Sequence, residues 1–220
     1  MIKKIKKKTL LFFVGIFFFF FLVFIYVWFQ HPTPKYKGEL KLQGLKSQVD
    51  VYFDKWAVPH VFAKNKKDLF YAAGYLAARE RLFQMSMVAL AVRGELASAL
   101  GKDFVKNDIY FRTWMINETA KKLSRNLNDT TTEILLMFCA GINARIEEIK
   151  NDPPIEFKIM GFDPPYWDPA VVTGYARMMA WELQSSWEQE VLYGAIESYF
   201  GREKLEEIIP KYDRQKPKIA

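Results

Sequence analysis

Residues 54–78 read Asp54-Lys55-Trp56-Ala57-Val58-Pro59-His60-Val61-Phe62-Ala63, then Lys64-Asn65-Lys66-Lys67, then Asp68-Leu69-Phe70-Tyr71-Ala72-Ala73-Gly74-Tyr75-Leu76-Ala77-Ala78. The hydrophobic period changes inside this stretch. Val58 to Ala63 suits an extended strand, whereas Leu69, Ala72, Ala73, Leu76 and Ala77 recur at helical spacing. Asp68 is placed to cap the helix, and Leu82, Phe83 and Met87 continue its apolar stripe. Gly94 interrupts the run and Gly101 ends it. The chain therefore reads as α+β, with a short β-rich start followed by helices.

Upstream, Val49, Val51 and Phe53 alternate with Asp50, Tyr52 and Asp54, and Leu40 and Leu42 alternate with Glu39, Lys41 and Gln43. Gly44 and Ser47 lie between the two runs, so a hairpin is expected there, with Val58–Ala63 as a third strand. His31-Pro32-Thr33-Pro34 reads as an extended spacer, because each proline disfavours helix at the residue before it. Before the spacer, Thr9 to Phe29 is apolar and carries no charge. Such a run, made helical, matches the hydrocarbon thickness of a bilayer. Lys3, Lys4, Lys6, Lys7 and Lys8 precede it, which keeps the start in the cytoplasm and places residues from about 31 onward outside. Tyr26 and Trp28 suit an interfacial aromatic belt. The run is longer than the core of a cleavable signal and no small-residue pair follows it, which favours an uncleaved signal anchor over a cleaved signal peptide. Either way the domain is exported: anchored and facing the periplasm or outside, or periplasmic if cleaved.

Downstream, Thr130-Thr131-Thr132-Glu133 has capping-box spacing ahead of Ile134, Phe138, Ile142, Ile146 and Ile149. Turn-rich loops follow at Asn151-Asp152-Pro153-Pro154 and Gly161-Phe162-Asp163-Pro164-Pro165. At Trp167-Asp168-Pro169, Asp168 is set to cap a helix with Pro169 in its first position. Val171 to Phe200 reads as one helix closed by Gly201, and Glu203–Ile209 as a last short one. The expected layout is an anchor over 1–30 with its span at 9–29, a spacer over 31–37, a domain over 38–210, and the start of a further spacer over 211–220.

The formal charge of +7 resides mostly in the five lysines before the apolar run, and without them the balance is +2. A clustered basic surface is not indicated, so nucleic acid is not an expected partner. Cys139 is the single cysteine and lies among Leu136, Met137, Phe138 and Ala140, so it reads as a small buried hydrophobe. The two histidines, His31 and His60, match no metal-ligand spacing. Neither a glycine-rich phosphate loop nor a Gly-x-Ser-x-Gly elbow is present.

The stretch 54–63 resembles the "D-x-x-G-V-P-H-I-x-A" strand of the penicillin acylase family of N-terminal-nucleophile hydrolases. The likeness continues in order. Asp68–Tyr75 resembles the family's "D-L-x-x-A-x-G-Y", and Ala78-Arg79-Glu80-Arg81-Leu82-Phe83-Gln84-Met85 resembles "A-Q-D-R-L-x-Q-M". Gly94-Glu95-Leu96-Ala97 with Gly101, Asp108 with Arg112, Gly141-Ile142-Asn143-Ala144, and Glu156-Phe157 with Gly161 and Pro165-Tyr166-Trp167 complete the set. Ala57 stands where the family has glycine, Arg79 where it has glutamine and Glu80 where it has aspartate.

The resemblance implies the N-terminal α chain of a proenzyme that folds as an αββα sandwich and hydrolyses linear amides. It implies a serine freed at the start of a downstream β subunit, acting with its own amine as base. No segment here matches that serine, and Ser185-Ser186 reads as mid-helix, so no catalytic residue is expected in this chain. It further implies a structural calcium receiving one carboxylate from Glu190, with Glu188 as the alternative. Met179, Ala180, Glu182 and Leu183 are the implied acyl-pocket residues, and His60 a packing residue. An Arg-Phe pair found near Glu182 and Leu183 in some relatives is missing, which leaves the acyl group open. The expected partners are the β subunit, a small amide substrate and the membrane. The rival readings are a membrane-anchored binding or scaffold protein derived from this fold, and a purely structural membrane protein.

Overall fold

The computed structural model describes residues 2–30, 36–184 and 186–209. The expected His31–Pro34 spacer, the 211–220 segment and Ser185 lie outside them. Helix α1 spans Ile2–Gln30, and within it Thr9–Val27 has a mean hydropathy of 3.0 with none of its surface buried. By length and composition this helix can cross a membrane, as can a signal sequence.

The β-rich start is a two-stranded antiparallel sheet, β1 (Val49–Phe53) and β2 (Pro59–Ala63), with Val51 opposite Val61 and Phe53 opposite Pro59. Val51, Phe53, Val61 and Ala63 turn inward, and Tyr52 and Phe62 turn out. The strand expected over Leu40–Gln43 is not formed. The hairpin instead joins the second and third expected strands. The Lys46 and Ser47 amides beyond Gly44 are taken by the Asp68 carboxylate, each at 2.9 Å, rather than by a strand partner.

The turn between β1 and β2 is held by Asp54, whose carboxylate accepts from the amides of Trp56 at 2.8 Å and Val58 at 2.9 Å. Those amides, Val58 foremost, hold the Asp54 carboxyl below the usual carboxylate range. Ala57, where glycine is the family residue, has φ of 60°, a left-handed conformation that costs a residue bearing a Cβ.

Helix α2 (Lys66–Arg93) begins one turn earlier than expected. Asn65 caps it by accepting from the Asp68 amide, so Asp68 is not the cap. Asp68 is buried, and the Lys46 amide first among its contacts holds its carboxyl low against the cost of burial. Arg81 departs from helical geometry within α2, and Gly94, with φ of 65°, closes it. The short α3 (Leu96–Leu100) then ends at Gly101. Helices α4 (Val105–Thr113) and α5 (Ile116–Arg125) follow, hinged at Met115, whose φ is 53°. Helix α6 (Asp129–Glu148) is capped by Asn128, which accepts from the Thr131 amide at 2.8 Å, so the Thr130–Glu133 capping box is not formed. A short α7 (Ile155–Met160), not anticipated, occupies the loop region. Helix α8 (Pro169–Leu183) starts as expected, with Asp168 capping and Pro169 at its first turn. The single helix expected over 171–200 is broken: α8 stops at Leu183 and α9 (Ser186–Phe200) begins anew, so Ser186 opens a helix rather than lying within one. Gly201 separates α9 from α10 (Arg202–Ile208).

The core forms between α2 and α6. Ile142, Ile146 and Ile149 are buried, as their spacing predicts, with Leu82, Phe157 and Trp167 against them. The two backbones touch at a pair of glycines. A Cβ on Gly74 would overlap the Phe138 carbonyl oxygen, and one on Gly141 would overlap the Tyr71 carbonyl oxygen. Beside this contact Tyr75 donates to Glu148 at 2.6 Å, and Arg145 holds the same carboxylate at 2.8 Å. Burial, then the bond to Glu148, pushes the Tyr75 phenol up to about 12. Burial raises Glu148 too, but the Tyr75 hydroxyl and the Arg145 guanidinium outweigh it and leave the carboxyl below its ordinary 4.5.

Two outcomes follow for stability. Gly74→Ala and Gly141→Ala should each lower the unfolding free energy by about 3 kcal/mol, because backbone rather than a flexible side chain blocks the new methyl. Gly194→Ala in α9, where a Cβ meets nothing within 4 Å, should instead raise helix stability by about 0.5–1 kcal/mol. Denaturant titration followed by circular dichroism reads both, and a parental midpoint for Gly74→Ala would refute the close contact. The depressed Glu148 carboxyl stabilises the fold above its ordinary value of 4.5, and that contribution is lost as pH falls through the folded value. Thermal midpoints measured down through that range should therefore fall less steeply in Glu148→Gln than in the parent.

Candidate functional site

Helix α8 has two faces with different fates. Val171 and Gly174 are buried, with Gly174 pressed so closely on Val92 that a Cβ there would overlap its Cγ1. Further along, Trp181 packs edge-on to Tyr110 and Phe111, with ring centroids 5.5 and 5.9 Å away. This inward row fixes α8 against α5, α4 and α2. A neighbouring row of Tyr175, Met179, Glu182 and Leu183 points out, with Met179 43% and Leu183 82% exposed. Helical spacing of three and four residues brings these side chains onto one stripe. Ala180 lies beside it and is also exposed.

The four residues expected to line an acyl pocket thus share one end of one helix, and they form an open wall rather than a closed cavity. Helix α9 extends the uncovered surface. None of its residues is buried, and Val191, Leu192, Tyr199 and Phe200 are among the large side chains it exposes. Exposed apolar side chains in this number are a feature of interaction surfaces.

Glu190 and Glu188 are exposed on α9. Among the described residues no three His, Cys, Asp or Glu side chains come together to hold a metal. A hard cation such as calcium takes six to eight oxygens. One or two carboxylates on α9 do not fit that demand by themselves, and no chemistry here is routed through a metal.

Two side chains of nucleophilic type, Cys139 and Ser86, lie in the interior of the domain. Cys139 is 3% exposed, and burial pushes its thiol up to about 12, so the reactive thiolate is suppressed. Ser86 is also buried, and its hydroxyl has no hydrogen-bond partner among the described residues. His60 is not the packing residue expected. Its imidazole is exposed on β2, and Nε2 lies 3.5 Å from the Asp54 carboxylate.

Sequence reading left two features unassigned. The first is a set of clasps: Asp108 accepts from the Leu96 and Ala97 amides at 2.7 and 2.9 Å, and Arg112 Nε donates to the Gly94 carbonyl at 2.9 Å. Asn143 brackets the Trp167 backbone, donating to its carbonyl and accepting from its amide, both at 2.8 Å. The second is a cleft of about 360 Å³ walled by Val92, Arg93, Phe111, Arg112, Met115 and Glu118 among others. Its walls come from separated segments, and no local sequence pattern announces it.

Comparison with known proteins gives a consistent picture. The sequence model of the penicillin amidase family matches residues 48–216. The chain is 34% identical over 127 residues to a penicillin G acylase of Escherichia coli, covering 56% of this chain and 15% of that protein. It is 29% identical over 159 residues to a penicillin acylase 2 proenzyme of a Pseudomonas species, covering 72% and 20%. To an acyl-homoserine lactone acylase of Pseudomonas aeruginosa it is 24% identical over 179 residues, covering 81% and 21%. The chain therefore spans about a fifth or less of these curated relatives. Among solved structures it resembles a thermostable penicillin G acylase from Alcaligenes faecalis, with a TM-score of 0.64 and 27% identity, covering 79% of this chain and 96% of that one.

The inward and outward rows of α8 predict opposite responses. Trp181→Ala should cost about 2 kcal/mol of stability through lost aromatic packing. Leu183→Asp should change the unfolding midpoint by under about 0.5 kcal/mol, as an exposed substitution does. Comparable losses in both variants would show that Leu183 is covered within this chain.

Proposed function

The chain belongs to the penicillin amidase family, and from that premise we propose that it is the framework portion of a membrane-tethered amide hydrolase whose nucleophile is supplied by a downstream half of the same precursor. The observation that carries this reading is the uncovered apolar wall of α8 and α9, ending in Leu183 at 82% exposed. Two further facts support it. The relatives are named as acylases, one of them as a proenzyme, and the chain spans only 15–21% of their lengths. Yet it covers 96% of one solved acylase chain, which suits an enzyme assembled from chains of unequal size.

In this reading the downstream half docks on α8 and α9, completing an αββα sandwich and closing the pocket. Met179, Ala180 and Leu183 then offer apolar contact to the acyl group, while Glu182 supplies a polar edge. Exclusion of water by that wall strengthens the electrostatic stabilisation of the tetrahedral intermediate. The attacking group is the amino-terminal serine freed by self-cleavage, with its own α-amine accepting the hydroxyl proton. Glu190, or Glu188 on the same helix, would give one carboxylate to a structural calcium ion, which would need further oxygen ligands from the downstream half. Helix α1 holds the assembly at the outer face of the cytoplasmic membrane, with Tyr26 at the interface.

The test is reconstitution. The 220-residue chain alone should not hydrolyse a chromogenic phenylacetyl amide, and supplying the serine-led downstream half should restore hydrolysis. Met179→Asp and Leu183→Asp should each lower kcat/KM by about tenfold or more at unchanged fold, since the wall is lost in the transition state. Hydrolysis by this chain unaided, or by a complex whose leading serine is alanine, would overturn the mechanism. A coding sequence that stops at Ala220, with no serine-led segment in reach, would leave the scaffold reading in its place.

A further inference from the structure

The β1–β2 hairpin presents a surface that the proposed catalytic assembly does not account for. At its turn Trp56 is 76% exposed and Val58 50% exposed. Behind them on the outward face of the strands, Tyr52 and Phe62 are 64% and 60% exposed, and their rings meet edge to face at 5.8 Å. This display is built, not frayed: the Asp54 carboxylate fixes both the Trp56 and the Val58 amides. Lys55 Nζ lies 5.2 Å from the centre of the Trp56 ring, placing a cation directly beside the exposed indole. Trp and Tyr flanked by lysine is the composition that settles at the boundary between acyl chains and headgroups.

Charge is distributed to match. Residues 36–68 carry Lys37, Lys41, Lys46, Lys55, Lys64, Lys66 and Lys67 against Glu39, Asp50, Asp54 and Asp68. The stretch is net positive, whereas residues 69–220 are slightly net negative. Positive charge is therefore concentrated in the segment that bears the hairpin.

The tether brings this surface to a bilayer. Only residues 31–35 separate Gln30, the end of α1, from Tyr36. Tyr36 is already fastened to the domain: its hydroxyl donates to Glu80 at 3.2 Å, its ring meets Phe53 at 4.9 Å, and the Arg79 guanidinium lies over it at 5.1 Å. Six Cα–Cα steps extend at most about 20 Å. Phe53 is the last residue of β1, immediately before the turn that carries Trp56. The part of the domain held nearest the end of α1 is thus the part with exposed aromatics and surplus lysine.

We propose that the Asp54–Val58 turn is a foot that seats the domain on an anionic lipid surface, with Trp56 and Val58 entering the interfacial layer and Lys55 meeting the phosphates. The proposal rests on α1 being a membrane anchor. Its consequence is a fixed orientation, with the hairpin toward the lipid in place of free rotation on the tether.

The test uses the full chain in vesicles of phosphatidylcholine with or without phosphatidylglycerol. Cys139 is buried, so an environment-sensitive dye can be placed by Val58→Cys or, separately, Phe18→Cys. The foot predicts that the Val58→Cys dye is shielded from aqueous iodide and loses roughly half its emission to headgroup-level spin-labelled lipid, as an interfacial group should. The quenching should be stronger with phosphatidylglycerol and weaker when Trp56→Glu is added. A Phe18→Cys dye that escapes acyl-chain quenchers sinks the anchor reading and the foot with it. A quenched Phe18→Cys dye beside a water-exposed Val58→Cys dye sinks the foot alone. Shielding of the Val58→Cys dye without lipid quenching also overturns it, since protein would then be covering the turn.

Discussion

The backbone contact between Gly74 on α2 and Gly141 on α6 is the constraint on which the rest of the domain depends. Each glycine lies where the other helix's carbonyl leaves no space for a methyl. Dispersion falls off steeply with separation, so helices at this distance bury Ile142, Cys139 and Ala78 with little void between them. The consequences run along α6. Asn143, two residues past Gly141, reaches the Trp167 backbone with both ends of its amide. Trp167 is thereby fixed in the core, Asp168 follows as a cap, and α8 leaves in a set direction. A shift of the glycine contact would therefore redirect the candidate pocket wall at the far end of α8.

Besides the local caps, a set of polar side chains in this domain binds backbone groups distant in sequence. Asp68 binds amides of the segment before β1, Asp108 those that open α3, and Arg112 the carbonyl of the glycine that closes α2. Helix ends and irregular segments carry unpaired amides and carbonyls, and burying them without partners is costly. These contacts give a physical reason for the ordered likeness to the penicillin acylase family. Asp68, Asp108, Asn143, Gly74 and Gly141 are points where one segment is tied to another.

The same distinction explains what could be read from the chain. The cap at Asp168, the proline after it, and the buried Ile142, Ile146 and Ile149 follow from local pattern and were legible. The caps Asn65 and Asn128 were masked by neighbours with equal claims, Asp68 and Thr130, because capping rules rank residue types better than registers. Leu40 and Leu42 alternate as a strand would, but the backbone beyond them is bound by Asp68, and alternation cannot overrule a carboxylate that removes strand donors. The break between Leu183 and Ser186 has no glycine or proline to announce it. The pocket residues were placed by resemblance alone, and the structure gathers them at one exposed end of α8.

A helix needs only one buried face to be held, and α8 has that face in Val171, Gly174 and Trp181. Met179 and Leu183 on its other side therefore contribute nothing to folding of this chain, and in water they carry a solubility cost. The hairpin repeats this arrangement. Val51 and Val61 secure it inward and the Tyr52–Phe62 ring contact ties the strands outward, so the exposed Trp56 indole at the turn is not needed for its stability. Large apolar groups that a fold does not require are explained by contacts outside it. The two surfaces differ in the contact they suit. The α8 wall combines aliphatic and aromatic side chains with a few carboxylates, suited to a protein surface and an acyl group. The hairpin combines aromatics with lysine on a short tether, suited to lipid. Both are carried by elements that pack on the same glycine-mediated pair of helices, which holds the two proposed surfaces in fixed relation.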